Sequence, residues 1–281
     1  MKNGMAFRTP EGKKEVLRMY DALLEQWSAQ YETIHLTTRY GKTFVLAGGD
    51  PNAPPLILLH GSGMNSVMWL GDMPTYTKHF RVYAVDIPGE PGKSAEEQLP
   101  FDSSAYAEWL DDVFGALAID KASIIGISLG AWLAIKYAVF RPEKVEKLVL
   151  LCPSGVGPQK GSFLFTAMFC MCFGDRGLKK IFYKVNGNQP IPDVVLDYQL
   201  LIGKSFNFRR EMIPIFSDQE LKSLTMPVVL FVGGKDIMLH SAKTARRMET
   251  LVPQGKINIL PEAGHTLTNL TTEIYDFLIQ E

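Results

Sequence analysis

The 281-residue chain is 46% hydrophobic and 21% charged, with a formal net charge of −1. That is an ordinary globular composition, long enough to bury one large α/β core and to carry an inserted subdomain. Its interspersed charges exclude an electrostatic case for nucleic acid or an anionic membrane surface.

Met1 to Pro10 lacks the apolar core of a secretory leader, and no run reaches the length of a membrane span; the longest apolar stretch is Phe163 to Phe173. Glu11 to Trp27 reads as an amphipathic helix with Val16, Leu17, Tyr20, Leu23, Leu24 and Trp27 on one stripe. Its polar face mixes signs, so it is expected to dock on the protein's own core. Strands are predicted at Thr33–Thr38 and Thr43–Ala47 around a Gly41 turn, then at Pro55–Leu59, which leads into His60-Gly61-Ser62-Gly63. A helix over Val67–His79, a strand over Arg81–Val85 and a helix from about Ser103 to Leu117, capped by Asp102 or Ser103, follow. Ser123 to Ile125 is a short β-branched run that turns through Gly126-Ile127-Ser128-Leu129-Gly130 into a helix over Ala131–Phe140. Arg141-Pro142 stops that helix, and Val145–Leu151 is another apolar strand.

From Pro153 to about Pro214 the alternation gives way to a Phe- and Met-rich helical region. It resumes with a strand at Pro227–Gly233, a helix near Ser241–Leu251, a strand at Lys256–Leu260 and a terminal helix from about Leu267 to Ile279. Short apolar strands alternating with helices imply a mostly parallel sheet covered on both faces, with chemistry collected at the carboxyl ends of the strands. Ser62, Asp86, Ser128, Asp236 and His265 all fall just after a predicted strand.

The turn around Ser128 carries the pattern G-x-S-x-G between a strand and a helix, the context of a nucleophile elbow. Its glycines let strand and helix approach, and the following helix aims free N–H groups and a positive dipole end at charge developing nearby. A serine hydroxyl is a poor nucleophile near neutral pH and needs a base; His265 is the candidate, because imidazole can take that proton and later return it. Asp236 would hold the ring in the right tautomer. The competing readings are a small packing residue for Ser128, a surface histidine for His265 and a helix cap for Asp236. His240 reads as a helix-start residue, His60 as a shaper of its turn, and His35 and His79 have no constellation. Three sparse cysteines, Cys152, Cys170 and Cys172, read as plain buried thiols in a reducing compartment, not as a disulfide framework or a metal site.

Leu59-His60-Gly61-Ser62-Gly63, Gly126-Ile127-Ser128-Leu129-Gly130, Arg141-Pro142-Glu143-Lys144-Val145, Gly233-Gly234-Lys235-Asp236 and Gly264-His265 together resemble the α/β-hydrolase fold superfamily, over roughly Leu36 to Leu278 apart from the insertion. The resemblance implies a mostly parallel eight-stranded sheet with helices on both faces. Residues 1–152 and 215–281 would form the core, with 1–30 as an N-terminal helical extension, and 153–214 would be a helical cap after the sixth main strand. It further implies the order Ser128, Asp236, His265 for a catalytic triad, and the backbone N–H groups of Ser62 and Leu129 as the oxyanion hole. Two departures stand out. Asp86-Ile87-Pro88-Gly89-Glu90-Pro91-Gly92-Lys93-Ser94 carries one residue more between its glycines than the family's turn, and Thr266-Leu267-Thr268-Asn269 replaces the acid- and Pro-containing sequence often seen after the histidine.

A serine at the elbow, where dehalogenases and epoxide hydrolases of this fold carry aspartate, points to acyl transfer. The expected enzyme is a cytoplasmic, cofactor-free serine carboxylesterase for small, fairly apolar esters, with a homodimer open. Phe165, Met168 and Phe169 are expected to roof the pocket, with Met64 and Trp69 as further walls. Two rivals stay open. A carbon–carbon hydrolase of ring-fission products would need basic groups for a carboxylate, such as Arg209, Arg210 and Lys204; a non-catalytic small-ligand receptor would need only the fold.

Overall fold

The computed structural model describes residues 5–27, 30–209 and 211–280. Eight strands form one sheet in the order β1-β2-β4-β3-β5-β6-β7-β8. They are β1 (Glu32–Thr38), β2 (Gly41–Gly48), β3 (Pro55–Leu59), β4 (Arg81–Val85), β5 (Ala122–Ile127), β6 (Val145–Leu151), β7 (Val228–Gly233) and β8 (Lys256–Leu260). β1 pairs antiparallel with β2 and β2 with β4; every other neighbour pair is parallel. The central strands β3, β5, β6 and β7 are buried on both faces along their apolar runs, whereas β8, with Lys256 and Asn258, is an exposed edge. Leu56 and Leu58 point to one core and Ile57 and Leu59 to the other, as the two-residue pleat requires.

The helices are α1 (Pro10–Glu25), α2 (Met73–Tyr76), α3 (Ala105–Ala116), α4 (Leu129–Phe140), α5 (Gly161–Met171), α6 (Gly174–Val185), α7 (Asp193–Ser205), α8 (Asp218–Lys222), α9 (Ser241–Leu251) and α10 (Thr271–Ile279). α3, α4 and α9 cover one face; α1, α7 and α10 reach the core on the other. Ala131 to Ile135, Tyr137 and Ala138 of α4 are all buried, so this helix is apolar around its circumference and sits centrally against β5. Each fully buried Leu, Ile or Val side chain in such a core stabilises by roughly 1.5–3 kcal/mol.

Local differences from the sequence reading have local causes. The helix expected over Val67–His79 is a 3₁₀ turn, Ser66–Trp69, followed by the single turn α2. Gly71 and Pro74 fall between and within the two pieces, where a flexible residue and a missing N–H interrupt a continuous helix. α3 starts at Ala105 after Ser104, whose side chain makes no cap bond, while Ser103 Oγ accepts from Ala105 N at 3.2 Å. α10 begins at Thr271, not Leu267, because the chain first turns through Asn269 at φ +60°. Cys172, expected to be buried, is exposed, since it stands just beyond the last turn of α5.

Between β6 and β7 the chain makes α5, α6, α7 and the short α8. α7 packs Tyr198, Ile202 and the adjoining Phe206 into the same core as Tyr20 and Leu24 of α1, so the N-terminal helix docks on the protein itself. α5 behaves otherwise: Phe165, Met168 and Phe169 are 72%, 60% and 65% exposed. No described helix is long and apolar enough to cross a membrane.

Candidate active site

β5 ends at Ile127 and α4 begins at Leu129, leaving Ser128 alone to make the turn at φ +53°, ψ −108°. For a residue with a Cβ this backbone costs on the order of 1–3 kcal/mol and persists only where its surroundings over-determine it. Here they do. Ser128 N donates to Leu151 O at 2.9 Å, and its carbonyl accepts from Trp132 N at 3.0 Å. A Cβ on Gly126 would collide with the Gly130 backbone, and one on Gly130 with the Leu59 carbonyl. Both glycines are therefore required for helix, elbow and β3 to approach as closely as they do.

The other two residues of the candidate triad arrive from the ends of β7 and β8. Asp236 is buried two residues beyond the Gly233–Gly234 turn, and His265 is buried on the loop after β8. His265 N donates to Val185 O at the end of α6 at 2.8 Å, so the insertion helps hold the histidine loop. His265 Nδ1 lies 2.7 Å from Asp236 Oδ2, and Nε2 lies 2.9 Å from Ser128 Oγ. An ionised carboxylate only accepts, so Nδ1 is the protonated nitrogen and Nε2 the acceptor for the serine proton.

Asp236 is kept in that ionised form. Burial pushes its carboxyl up, but bonds from His265, Leu239 N and Met238 N outweigh burial, so the net displacement is downward from the ordinary value. The two backbone donors, at 2.6 Å from Met238 and 3.0 Å from Leu239, both reach Oδ1 and leave Oδ2 for the imidazole. Lys160 Nζ donates to the Asp236 carbonyl at 2.6 Å.

Cys152 brings its thiol close enough that Cys152, Asp236 and His265 place ligand atoms within 4.8 Å of one another. Asp236 and His265 already bond each other and Asp236 takes two N–H groups, so these donors are engaged within the protein. The Cys152 thiol itself is pushed upward by burial and then by the Asp236 charge, which keeps it protonated.

On the opposite side of Ser128 lies the turn after β3. Fully buried His60 has Nδ1 2.8 Å from Gly61 O, and its Nε2 accepts from Ile87 N at 2.9 Å. That pair of bonds fits neutral imidazole protonated on Nδ1, and burial lowers its pKa accordingly. Histidine 60 thus ties the turn to the loop after β4. Asp86 belongs to the same scaffold. It accepts from Ser66 N at 2.8 Å, Ser66 Oγ at 2.7 Å, Lys93 N at 2.8 Å and Tyr20 Oη at 3.3 Å, and stands apart from the Ser128–His265–Asp236 chain. A Cβ on Gly61 would lie within 3.7 Å of Ser128 Cβ, so the turn passes close to the serine. Leu129, as the first residue of α4, has an N–H with no intrahelical acceptor.

The expected pocket walls fare unevenly. Met64 is half-buried beside the turn, whereas Trp69 is part of the core with Val67, Met73 and Tyr76. Phe165, Met168 and Phe169 on α5 are largely exposed. Sequence reasoning passed over three residues that the fold brings here. Ser154 Oγ stands 3.5 Å from Ser128 Oγ; Phe208 packs its ring over Gly63; and buried Glu90 accepts from Gly63 N. The extra residue between Gly89 and Gly92 was the available signal for Glu90. The other two carry none, since serine and phenylalanine in a helical insertion are unremarkable.

Residues 56–273 match the alpha/beta hydrolase family. Over 278 residues the chain is 31% identical to carboxylesterase YbfK of Bacillus subtilis (strain 168), spanning 95% of this chain and 93% of that protein. The crystal structure of the YbfK carboxylesterase, CesB, superposes with a TM-score of 0.86 at 30% identity and covers 96% of this chain and 99% of that one. The crystal structure of naproxen esterase from Bacillus subtilis superposes with a TM-score of 0.84 at 27% identity, covering 97% and 98%. Elbow, strand order and relatives agree: the chain belongs to the alpha/beta hydrolase family.

Proposed function

We propose that this protein is a serine carboxylesterase that cleaves small, fairly apolar esters through an acyl-enzyme on Ser128. The observation that carries the reading is the continuous pair of hydrogen bonds from Asp236 through His265 to Ser128, at 2.7 and 2.9 Å. Relatives named as carboxylesterases over nearly the whole chain support the same reaction class.

In this reading Ser128 Oγ adds to the ester carbonyl carbon as its proton passes to His265 Nε2. Asp236 stays ionised and stabilises the imidazolium. Negative charge develops on the carbonyl oxygen, and the N–H groups of Leu129 and Ser62 are its donors, each worth on the order of 3 kcal/mol to the transition state. Collapse breaks the carbon–oxygen bond, and His265 gives its proton to the departing alcohol. Water then attacks the acyl-enzyme by the same route, giving up a proton to His265 and restoring Ser128. These steps call for no cofactor.

Residues 153–214 act as the cap in this reading, with Phe208 and Met64 beside the mouth of the site. The three free thiols suit a reducing compartment, and we place the enzyme in the cytoplasm. A carbon–carbon hydrolase would want free cations for a substrate carboxylate. Lys204 pairs with Asp175 at the surface, and Arg209 is buried, bonded to Leu99 O and stacked on Phe101; Arg210 lies outside the described residues.

Pre-steady-state hydrolysis of p-nitrophenyl acetate and butyrate tests the reading. The wild type is expected to release a burst of nitrophenol stoichiometric with enzyme, absent from Ser128→Ala. Equal, slow release from both proteins would overturn it.

A further inference from the structure

Glu90 is a buried carboxyl that the reaction as described does not use. Only 2% of it is exposed, yet it sits on the loop after β4, among residues otherwise chosen for turning. Its Oε2 accepts from Gly63 N at 2.6 Å, and its Oε1 lies 3.4 Å from Ser62 Oγ. Both partners belong to the turn whose Ser62 N–H is the oxyanion donor.

The loop that presents Glu90 is held on several sides. Gly89 N donates to Ala95 O at 2.8 Å, Gly92 N to Glu90 O at 2.8 Å, and Asn65 Nδ2 to Pro91 O at 2.8 Å. Gly89 adopts φ +77°, and a Cβ there would come within 2.6 Å of Gln98 Cα. The receiving turn is equally constrained: Gly63 adopts φ +69°, and a Cβ there would come within 2.6 Å of the Phe208 ring. A backbone N–H pinned by a carboxyl on one side and a ring on the other has one orientation available.

We propose that Glu90 is a positioning residue for the oxyanion hole: by accepting from Gly63 N–H it locks the Ser62–Gly63 peptide and so aims the neighbouring Ser62 N–H at the Ser128 site. This rests on the acyl-enzyme reading above and deepens it. The carboxyl comes from the lengthened segment between Gly89 and Gly92.

Two further groups, Arg209 and Tyr106, act on Glu90, and Glu211 pairs with the first of them. Arg209, following α7, is 9% exposed and stacks on Phe101 with its carbon 4.0 Å from the ring centre. Tyr106 comes from α3 and donates to Pro88 O at 3.3 Å, and Glu211 lies 3.7 Å from Arg209. Burial pushes the Glu90 carboxyl up to about 8, against the pull of Gly63 N–H, Arg209 and the Ser62 hydroxyl. At neutral pH the group is therefore mainly the neutral acid, whose Oε2 still accepts from Gly63 N–H. Ionisation at higher pH sets a full negative charge one peptide from the oxyanion donor, which opposes the developing oxyanion.

The test compares wild type, Glu90→Gln and Glu90→Ala in kcat and KM for p-nitrophenyl butyrate from pH 6 to 10, after the wild type's Ser128-dependent burst has been measured. Glutamine reproduces the neutral acid, with its oxygen facing Gly63 N and its amide facing Ser62. Glu90→Ala is expected to lose about 10- to 100-fold in kcat with KM nearly unchanged, the size of effect a misplaced oxyanion donor produces. Glu90→Gln is expected to rescue kcat to within about threefold of wild type and to lose the alkaline decline centred near pH 8. An alanine variant with wild-type kcat overturns the proposal, as does a glutamine variant that fails to rescue or keeps the alkaline decline. Should Glu90→Ala not fold, the glutamine pH profile decides alone. A wild type without the Ser128-dependent burst would bring down the esterase reading first, and this proposal with it.

Discussion

Replacing Asp236 by asparagine changes one oxygen to an amide nitrogen and leaves shape and volume nearly intact, so its effect isolates the electrostatics of the proposed triad. Oδ1 of Asp236 accepts from Met238 N and Leu239 N at 2.6 and 3.0 Å. Those two bonds require the asparagine carbonyl to occupy that side, because an NH₂ group cannot accept from an N–H. The amide nitrogen then faces His265 Nδ1, where Oδ2 now stands at 2.7 Å, and donates to it. Imidazole that accepts at Nδ1 carries its proton on Nε2, and Nε2 is the atom 2.9 Å from Ser128 Oγ. The base is thereby blocked by its own proton. A wrong-tautomer substitution of this kind lowers kcat by about 10⁴, or roughly 5.4 kcal/mol of barrier.

Steady-state hydrolysis of p-nitrophenyl butyrate is the assay, with thermal unfolding alongside to show that the variant is folded. A folded Asp236→Asn protein with kcat within tenfold of wild type would refute the reasoning, because it would mean that His265 keeps its tautomer without the carboxylate.

Two further outcomes test the scaffold and its pH response. Gly130→Ala places a methyl against the Leu59 carbonyl, a backbone atom that cannot move aside, and is expected to destabilise by about 3 kcal/mol or prevent folding; chemical denaturation measures it, and a loss below about 1 kcal/mol would contradict the close approach of α4 and β3. Glu90 holds its proton in the folded state up to about pH 8, against an ordinary value of 4.5, so the folded protein binds more protons than the unfolded chain between those limits. Its contribution to stability is accordingly present at acid pH and declines as pH rises from about 4.5 to 8, by at most about 1.4 kcal/mol per pH unit. The stability of Glu90→Gln relative to wild type should therefore grow by up to about 4 kcal/mol between pH 5 and 8, and parallel stability curves would exclude the perturbed carboxyl.

Much of this protein is legible in its sequence because the features concerned are local. Strand β5, the Gly126–Gly130 turn and helix α4 are specified by adjacent residues: β-branched apolar positions, two glycines where Cβ atoms would collide, and an apolar helix. Most of the sheet follows from the same short-range patterns, since continuous apolar runs alternating with helices imply a mostly parallel sheet covered on both faces. The order of Ser128, Asp236 and His265 along the chain, each just past a strand, was likewise readable.

Tertiary structure alone decided what faces what. No local pattern shows that Glu90 reaches Gly63, that Asp86 binds Ser66 and Lys93, that Ser154 stands beside Ser128, or that the end of α6 holds the His265 loop. These pairings depend on how loops far apart in sequence meet at the sheet's carboxyl edge, and nothing in a residue's own neighbourhood encodes its partner there. The same holds for α5. Its Phe and Met content reads as a roof, but the exposure of Phe165, Met168 and Phe169 is set by how the helix docks, and they are left largely exposed.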